Sequence, residues 1–498
     1  MRFKAKLLNI ESGGPLIAVL NPKLMKELDL GPADRIRIMA ENKYAVAVSD
    51  SSSTIGENEI GIFSELAKVL DIDDSQQVTA IPEEKPASIF SIRKKLDGAA
   101  LSKDDVFELI TDIVENRLTT PEIASFITAV YTKGMSIDET EHLTRAMAET
   151  GEILKLGVKP VMDVHSVGGV PNNRTTMIIV PIVAAAGLHI PKTASRAITD
   201  PAGTADTMEV LAQVSFKLEE IRDIVLAHKG CIVWGGAVDM APADDVIVDV
   251  ERPLQLDPTS MLLASILAKK YAAGSTDILL EIPYGHGTKC NRQRANELEK
   301  KFALLGSKLG MSMRVIKTDG SQPVGRGIGP ALECIDVLQI LENKPGCAED
   351  LKNRSLYMAG LLLEMGKKAN RGKGMAAAKE ILESGRALKK FLEIIKAQGG
   401  SPGITSEKVE KGKYDESIPA EASGVVQKID NDIIKRIGRH LGAPYDKSAG
   451  LYLHAKLGDS VKEGDKLFTI YAESGRKLSE GLTYAESNMP YYIVPAKR

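Results

Sequence analysis

The chain has 498 residues, 64 Lys+Arg against 67 Asp+Glu, and a formal charge of −3. Its 43% hydrophobic and 26% charged content excludes a disordered or collagen-like chain. The near-neutral balance excludes the basic stripe that a nucleic-acid polymer requires, while leaving room for small phosphate-bearing ligands.

At roughly 100–200 residues per domain, this length suggests about three domains. Four cysteines (Cys231, Cys290, Cys334, Cys347) are too few and too widely spaced for a disulfide framework or a zinc site. They read as buried reduced thiols, which fits a cytoplasmic protein. The start, MRFKAKLLNIESGG, has no apolar core of a signal peptide. The longest apolar run, Met177 to Leu188, contains Pro181 and Gly187 and is too short to span a bilayer. A soluble protein with no membrane partner is expected.

Residues 1–84 read as a β-rich domain. Phe3, Ala5 and Leu7 alternate with lysines, and Ile36/Ile38 and Tyr44/Val46/Val48 repeat the period of two. One short helix is predicted over 63–70. The segment Pro82-Glu83-Glu84-Lys85-Pro86 has the composition of a linker. Residues 87–151 switch to helical periodicity. Ser102 with Asp105, and Ser136 with Glu139, are capping boxes. Thr120-Pro121 reads as an N-cap with proline in the first turn, and Ile123, Phe126, Ile127, Val130 and Tyr131 form that helix's apolar stripe.

From 158 onward strands and helices alternate, which predicts an α/β layer with a mixed or parallel sheet. Strands are expected at 158–164, 190–193, 232–238 and 277–282, with helices at 175–186, 219–228 and 261–273. After 405 the pattern is strand-like again, at 423–429, 450–456, 466–472 and 491–494.

Two strand-to-helix loops carry anion-binding chemistry. The first is Asp163-Val-His-Ser-Val-Gly-Gly-Val-Pro-Asn-Asn-Arg-Thr-Thr176, where paired glycines let backbone N–H groups approach a ligand. The second, residues 193–206, packs Ser195, Arg196, Thr199 and Thr204 into ten residues. Each loop taken alone is also an ordinary β–α turn. Two of them at strand C-terminal ends suggest one anion pocket. Ser265 and Lys269 lie four apart on one helix face, Asp257 precedes that helix, and Lys289 follows a further strand in Pro-Tyr-Gly-His-Gly-Thr-Lys.

Five motifs, HSVGG at 165–169, SRAITDPAGTAD at 195–206, ASILAKK at 264–270, GHGTK at 285–289 and TDGSQPVGRGIGPALE at 318–333, resemble those of the thymidine/pyrimidine-nucleoside phosphorylase family. The extra N-terminal domain is similar to that of the family's long, archaeal, AMP-cleaving form. The resemblance implies a nucleoside phosphorylase/phosphoribosyltransferase-like α/β multidomain architecture. Its parts are an N-terminal β-rich domain at 1–84, a helical subdomain at 85–155 with 255–273, a large α/β nucleotide- and phosphate-binding domain at 156–404, and a small C-terminal α+β, largely β-rich, region at 405–498.

The resemblance also implies phosphorolysis of AMP, and of CMP or UMP, with inorganic phosphate, no metal or organic cofactor, and a homodimer or larger homo-oligomer. It assigns the proton donor to Asp257 and substrate contacts to Gly169, Ser195, Arg196, Ala197, Ile198, Thr199, Asp200, Thr204, Ser265 and Lys289. Two departures stand out. The lysine that pyrimidine-nucleoside phosphorylases carry before the His-Ser pair is Val164 here, and their pyrimidine-contacting arginine is Val250. Both losses fit a nucleotide-specific pocket, with phosphorolysis of unphosphorylated thymidine or uridine as the alternative. Which loop takes the free phosphate and which the 5′-phosphate stays open.

Overall fold

The structure, a computed structural model, describes residues 1–495. The chain divides into two compact units, residues 1–151 with 241–268, and residues 152–240 with 269 onward.

The first unit begins with six strands: β1 (Arg2–Leu7), β2 (Ile17–Leu20), β3 (Arg35–Ala40), β4 (Lys43–Ser51), β5 (Glu59–Ile62) and β6 (Gln77–Pro82). They close into a barrel in the order β1-β5-β2-β4-β3-β6, with β6 pairing back onto β1. Closure leaves no edge strand exposed. The alternation of Phe3 and Ala5, and of Ile36 and Ile38, points these residues into the barrel core. On β4 the expected face is wrong. Ala45 and Ala47 point inward, while Tyr44 is 49% exposed. The hairpin register decides this, because Ala45 sits opposite Ile38 and Ala47 opposite Ile36, and directly opposed residues share a face.

Helices follow at Ser88–Leu96, Lys103–Val114, Thr120–Lys133 and Ile137–Glu149, and Pro242–Leu254 packs on the second and third of these. Both expected capping boxes form. Asp105 N–H donates to Ser102 Oγ at 3.2 Å and Ser102 N–H to Asp105 at 2.7 Å. Glu139 does the same for Ser136 and also binds the buried Lys95 ammonium at 2.7 Å. The third helix is capped by Thr119 rather than Thr120, because Glu122, three residues after Thr119, completes a box there. Tyr131 drops out of its apolar stripe and is exposed.

In the second unit β7 (Met162–Ser166), β10 (Asp277–Tyr284) and β11 (Ser312–Asp319) form a sheet in the order β11-β10-β7, and β8 (Ile190–Ala194) pairs with β9 (Gly230–Trp234). A parallel bridge from Val161 to His189 links the two. Every pairing here is parallel, the second of the two arrangements that the alternation allowed. The physical reason is that helices intervene along the chain between successive strands, returning each strand in the same direction. The 158–164 strand starts later than expected, at Met162, and the 232–238 strand ends at Trp234 in a short 3-10 turn. The apolar run from Met177 is a helix buried on all sides, Thr175–Ala185, packed by helices Glu349–Met365 and Arg386–Ala397. A helix hydrophobic all round is what a central core position requires.

The C-terminal strands build two antiparallel sheets. One joins β12 (Gly327–Ile328), β15 (Gly450–Leu453), β17 (Lys466–Ala472) and β13 (Tyr414–Pro419). The other joins β16 (Ser460–Val461), β14 (Gly424–Ile429) and β18 (Tyr491–Val494). Two helices that the strand pattern did not reveal, Asn431–His440 and Gly475–Ser487, pack on each other. Asp430 and Ser474 cap them by accepting first-turn N–H groups. No helix among the described residues is long and apolar enough to cross a membrane. All four cysteines are buried.

Candidate active site

Because β7, β8 and β10 run parallel, the loops 167–174, 195–203 and 285–290 leave from the same, C-terminal, edge of the strands, where open α/β layers bind ligands. Gly168 and Gly169 both have positive φ, +91° and +94°. A Cβ on Gly169 would stand 3.0 Å from the Lys289 amide nitrogen. The HSVGG loop and the GHGTK loop are therefore packed together.

The 195–203 loop is folded tightly on itself. Asp206 fastens it by accepting the N–H groups of Ala197 at 2.7 Å and Gly203 at 2.9 Å. Ser195, Ile198 and Thr199 are exposed on it, and Asp200 pairs with Lys435 at 3.5 Å. Arg196 has an engaged guanidinium: it holds both oxygens of Glu209, at 2.7 and 2.5 Å, and Asp206 at 3.2 Å, and lies over the Trp234 ring. Its side chain thus fixes the loop. The arginine that reaches Thr204 Oγ1 is Arg174, at 3.3 Å, and it also donates to the Ala202 carbonyl and to Glu333.

Arg174 was part of the first constellation but not singled out, since its partner lies 159 residues away. Burial pushes the Glu333 carboxyl up to about 7, against the pull of Arg174, the Gly329 N–H and the Thr207 hydroxyl. Through Glu333, and through Asp336 three residues beyond its end, the 318–333 motif braces the first loop. Asp336 accepts Asn172 Nδ2 at 2.8 Å together with the N–H groups of Arg326 and Gly327. A Cβ on Gly320 would meet Thr288 at 2.5 Å and Val170 at 2.9 Å.

Beneath the first loop lies a charged cluster with no counterpart in the sequence reading. Asp163, fully buried, accepts from Lys270 at 2.8 Å, Ser275 Oγ at 3.1 Å and the Val164 N–H at 2.7 Å. Lys192 stands 3.6 Å from Asp163 and donates to the Val164 carbonyl at 2.8 Å. An ammonium from β8 is thereby set against the main chain of position 164, where a lysine side chain was expected and is missing. His165 is held well below its ordinary pKa by burial and by Lys270, Lys192, Lys269 and Lys289, so it is a neutral imidazole. Ser166 Oγ accepts from Asn173 Nδ2 at 3.2 Å, and the same amide donates to the buried Glu281 at 2.8 Å.

Asp257 and Ser265 belong to the first unit, Asp257 two residues before helix Thr259–Ala272 and Ser265 upon it. Among the described residues no group of three or more His, Cys, Asp or Glu side chains could hold a metal ion.

Comparison with known proteins agrees with this arrangement. Residues 91–151 match the helical bundle domain, and residues 158–388 the a/b domain, described for a glycosyl transferase family. Residues 425–492 match the pyrimidine nucleoside phosphorylase C-terminal domain. A solved structure, anthranilate phosphoribosyltransferase from Thermus thermophilus, superposes with a TM-score of 0.54 at 18% identity, over 62% of this chain and 99% of that one, a likeness of fold alone. Proteins named AMP phosphorylase from Pyrococcus furiosus and Methanocaldococcus jannaschii are 44% and 42% identical, over 494 and 493 residues. Each alignment spans 99% of this chain, with 98% and 97% of the respective relative. With the barrel, the helical domain and the loops on the shared strand edge all inside that match, the chain belongs to the AMP phosphorylase family.

Proposed function

We propose that the protein catalyses phosphorolysis of nucleoside 5′-monophosphates: AMP and phosphate give adenine and ribose 1,5-bisphosphate, with CMP and UMP as further substrates. A phosphate oxygen attacks C1′ of the ribose, the bond from C1′ to the base nitrogen (N9 in AMP, N1 in CMP and UMP) breaks, and the base leaves with that electron pair and takes up a proton. The carrying observation is the 44% identity over 494 residues to proteins named AMP phosphorylase, N-terminal barrel included.

The reaction passes through a cation-like sugar, by analogy with glycoside hydrolysis. It requires two anions to be held and charge to be relieved on the departing base. Lysines, hydroxyls and preorganised N–H groups supply that without a metal or cofactor. In this reading Asp257 delivers the proton to the base. Gly169, the Ser195–Asp200 loop, Thr204, Ser265 and Lys289 contact the nucleotide or phosphate. We assign the chain the four-part division set out from the sequence, a cytoplasmic location, and assembly as a homodimer or larger homo-oligomer.

The test is phosphate consumption with AMP, adenosine and thymidine side by side, and identification of the sugar product. Ribose 1,5-bisphosphate from AMP is expected. Ribose 1-phosphate from adenosine or thymidine, with AMP inert, would overturn the proposal in favour of an enzyme acting on unphosphorylated nucleosides.

A further inference from the structure

We propose that Lys192 is the buried cation beneath a phosphate-dianion subsite at the C-terminal end of β7, an assignment that rests on the phosphorolytic reading and names a residue of its site. The argument starts from an imbalance of charge. Asp163, Lys192 and Lys270 are all almost wholly buried, with side chains 0%, 5% and 2% exposed. One carboxylate thus faces two ammonium groups. The carboxylate is already committed to Lys270, Ser275 and the Val164 N–H, which leaves Lys192 at 3.6 Å, too far for a strong charge-assisted hydrogen bond. Among the described residues, the short bond from Lys192 goes to a neutral acceptor, the Val164 carbonyl. An ammonium has three donors, so with both lysines protonated the cluster carries surplus positive charge and unspent donors.

A buried surplus charge is costly unless something opposite answers it. Among the described residues the carboxylate that faces Lys192 is Asp163; Glu281, buried on the neighbouring β10, is spent on Asn173, Thr318 and Arg354. The groups facing Lys192 are Asp163 and His165 on β7, Cys231 on β9 and Lys270 on the helix ending at Ala272, while Ser275 bonds to Asp163. Lys269 and Lys289 add positive charge around His165. His165 is neutral, and burial holds the Cys231 thiol up at about 12, so it stays protonated. The same end of β7 leads into two consecutive positive-φ glycines. There Ser166 accepts from Asn173, which leaves the serine O–H to donate outward. Surplus cation, hydroxyl donor and glycine backbone together describe a tetrahedral oxyanion's surroundings. Burial and Lys270 lower the Lys192 pKa. An arriving dianion reverses that, and Lys192 takes up a proton as the anion binds.

Two sources share this chemistry, inorganic phosphate and the nucleotide's 5′-phosphate. The experiment is a kinetic comparison of wild type, Lys192→Met and Lys192→Arg, with phosphate and AMP varied in turn. Loss of one charged hydrogen-bonding group predicts a KM raised about 10- to 100-fold in Lys192→Met. A rise for phosphate identifies the free anion, a rise for AMP the 5′-phosphate, and Lys192→Arg restores most of either. Thermal melting without and with inorganic phosphate gives a readout independent of turnover. Phosphate raises the wild-type midpoint but not that of Lys192→Met, which melts no lower than wild type when phosphate is absent. Calorimetry of wild type with phosphate and with AMP at pH 8, in buffers of different ionisation enthalpy, reads proton uptake that Lys192→Met lacks.

A folded Lys192→Met with both KM values unchanged overturns the assignment. If Lys192→Met does not fold, Lys192→Gln takes its place, and KM values and phosphate-dependent melting unchanged from wild type overturn the assignment equally. Wild type that fails to cleave AMP sinks the functional reading instead, while melting and calorimetry still test the subsite.

Discussion

Replacing Arg174 by Met removes the one cation, among the described residues, bonded to the buried Glu333, and the cost should depend on pH in a way the structure dictates. In wild type, Glu333 is raised from an ordinary 4.5 to about 7 by burial. A carboxyl raised on folding stabilises fully below its unfolded pKa, and that contribution is lost as pH climbs through the folded value. Wild type therefore loses about 1.4 kcal/mol per pH unit between 4.5 and 7 and then levels off. Without Arg174 the folded pKa rises further, so the decline continues above pH 7. Below pH 7 the variant differs from wild type mainly by the lost bonds to Ala202, Asn173 and Thr204, worth about 2 kcal/mol together. At pH 8 roughly another 1.4 kcal/mol is added, giving a deficit at the lower end of the ~3–5 kcal/mol known for breaking a buried pair.

The assay is circular-dichroism melting of both proteins at pH 6, 7, 8 and 9. At roughly 2 °C per kcal/mol for a large unit, Arg174→Met should melt about 4 °C below wild type at pH 6, with the gap widening above pH 7. Adding Glu333→Gln should erase the widening. A gap equal at pH 6 and 9, or no gap at all, would refute the reasoning.

Further outcomes follow from the site. Asp257→Asn should lower kcat for AMP more than about 100-fold while KM stays within a few-fold, because it removes a proton and not a binding group; steady-state kinetics with near-wild-type kcat would rule Asp257 out. Gly169→Ala should raise KM at least several-fold, since its Cβ would lie 3.0 Å from the Lys289 amide at a φ of +94° that alanine rarely adopts; an unchanged KM would show that the two loops act separately. Arg196→Ala should raise KM for AMP or phosphate by loosening the loop that Asp206 and Glu209 hold, and faster proteolysis near residue 200 should accompany it; normal binding and cleavage would remove that loop from the site. Turnover should be unaffected by EDTA, and a rate that vanished on chelation and returned only with magnesium would contradict a reaction run by lysines, hydroxyls and backbone N–H groups.

Local signals were readable without coordinates. Ser102 with Asp105, and Ser136 with Glu139, mark helix starts because a cap and its reciprocal carboxylate lie three residues apart in the chain. The alternation after residue 158 marks the α/β layer, since strand and helix periods differ within a few residues. The glycine and hydroxyl motifs at 165–169, 195–206 and 285–289 can be seen because a tight turn at a strand end needs those residue types in sequence. The misses have the same physical origin. Thr119 and Thr120 are both cap-type residues beside Pro121, and only the reciprocal bond of Glu122 selects Thr119, while the face of β4 is decided by its register against β3 and not by its own alternation.

What periodicity and spacing determined, then, is everything held by neighbours in the chain: caps, element types, the loops at strand ends, and the motifs that carry the family resemblance. Folding decided which charges meet. Arg174 finds Glu333 across 159 residues, Lys192 and Lys270 converge on Asp163 from a neighbouring strand and a helix, and Arg196 is spent on Glu209 and Asp206. A buried ion pair depends on distances of a few ångströms between side chains remote in sequence, and no residue pattern along one segment encodes them.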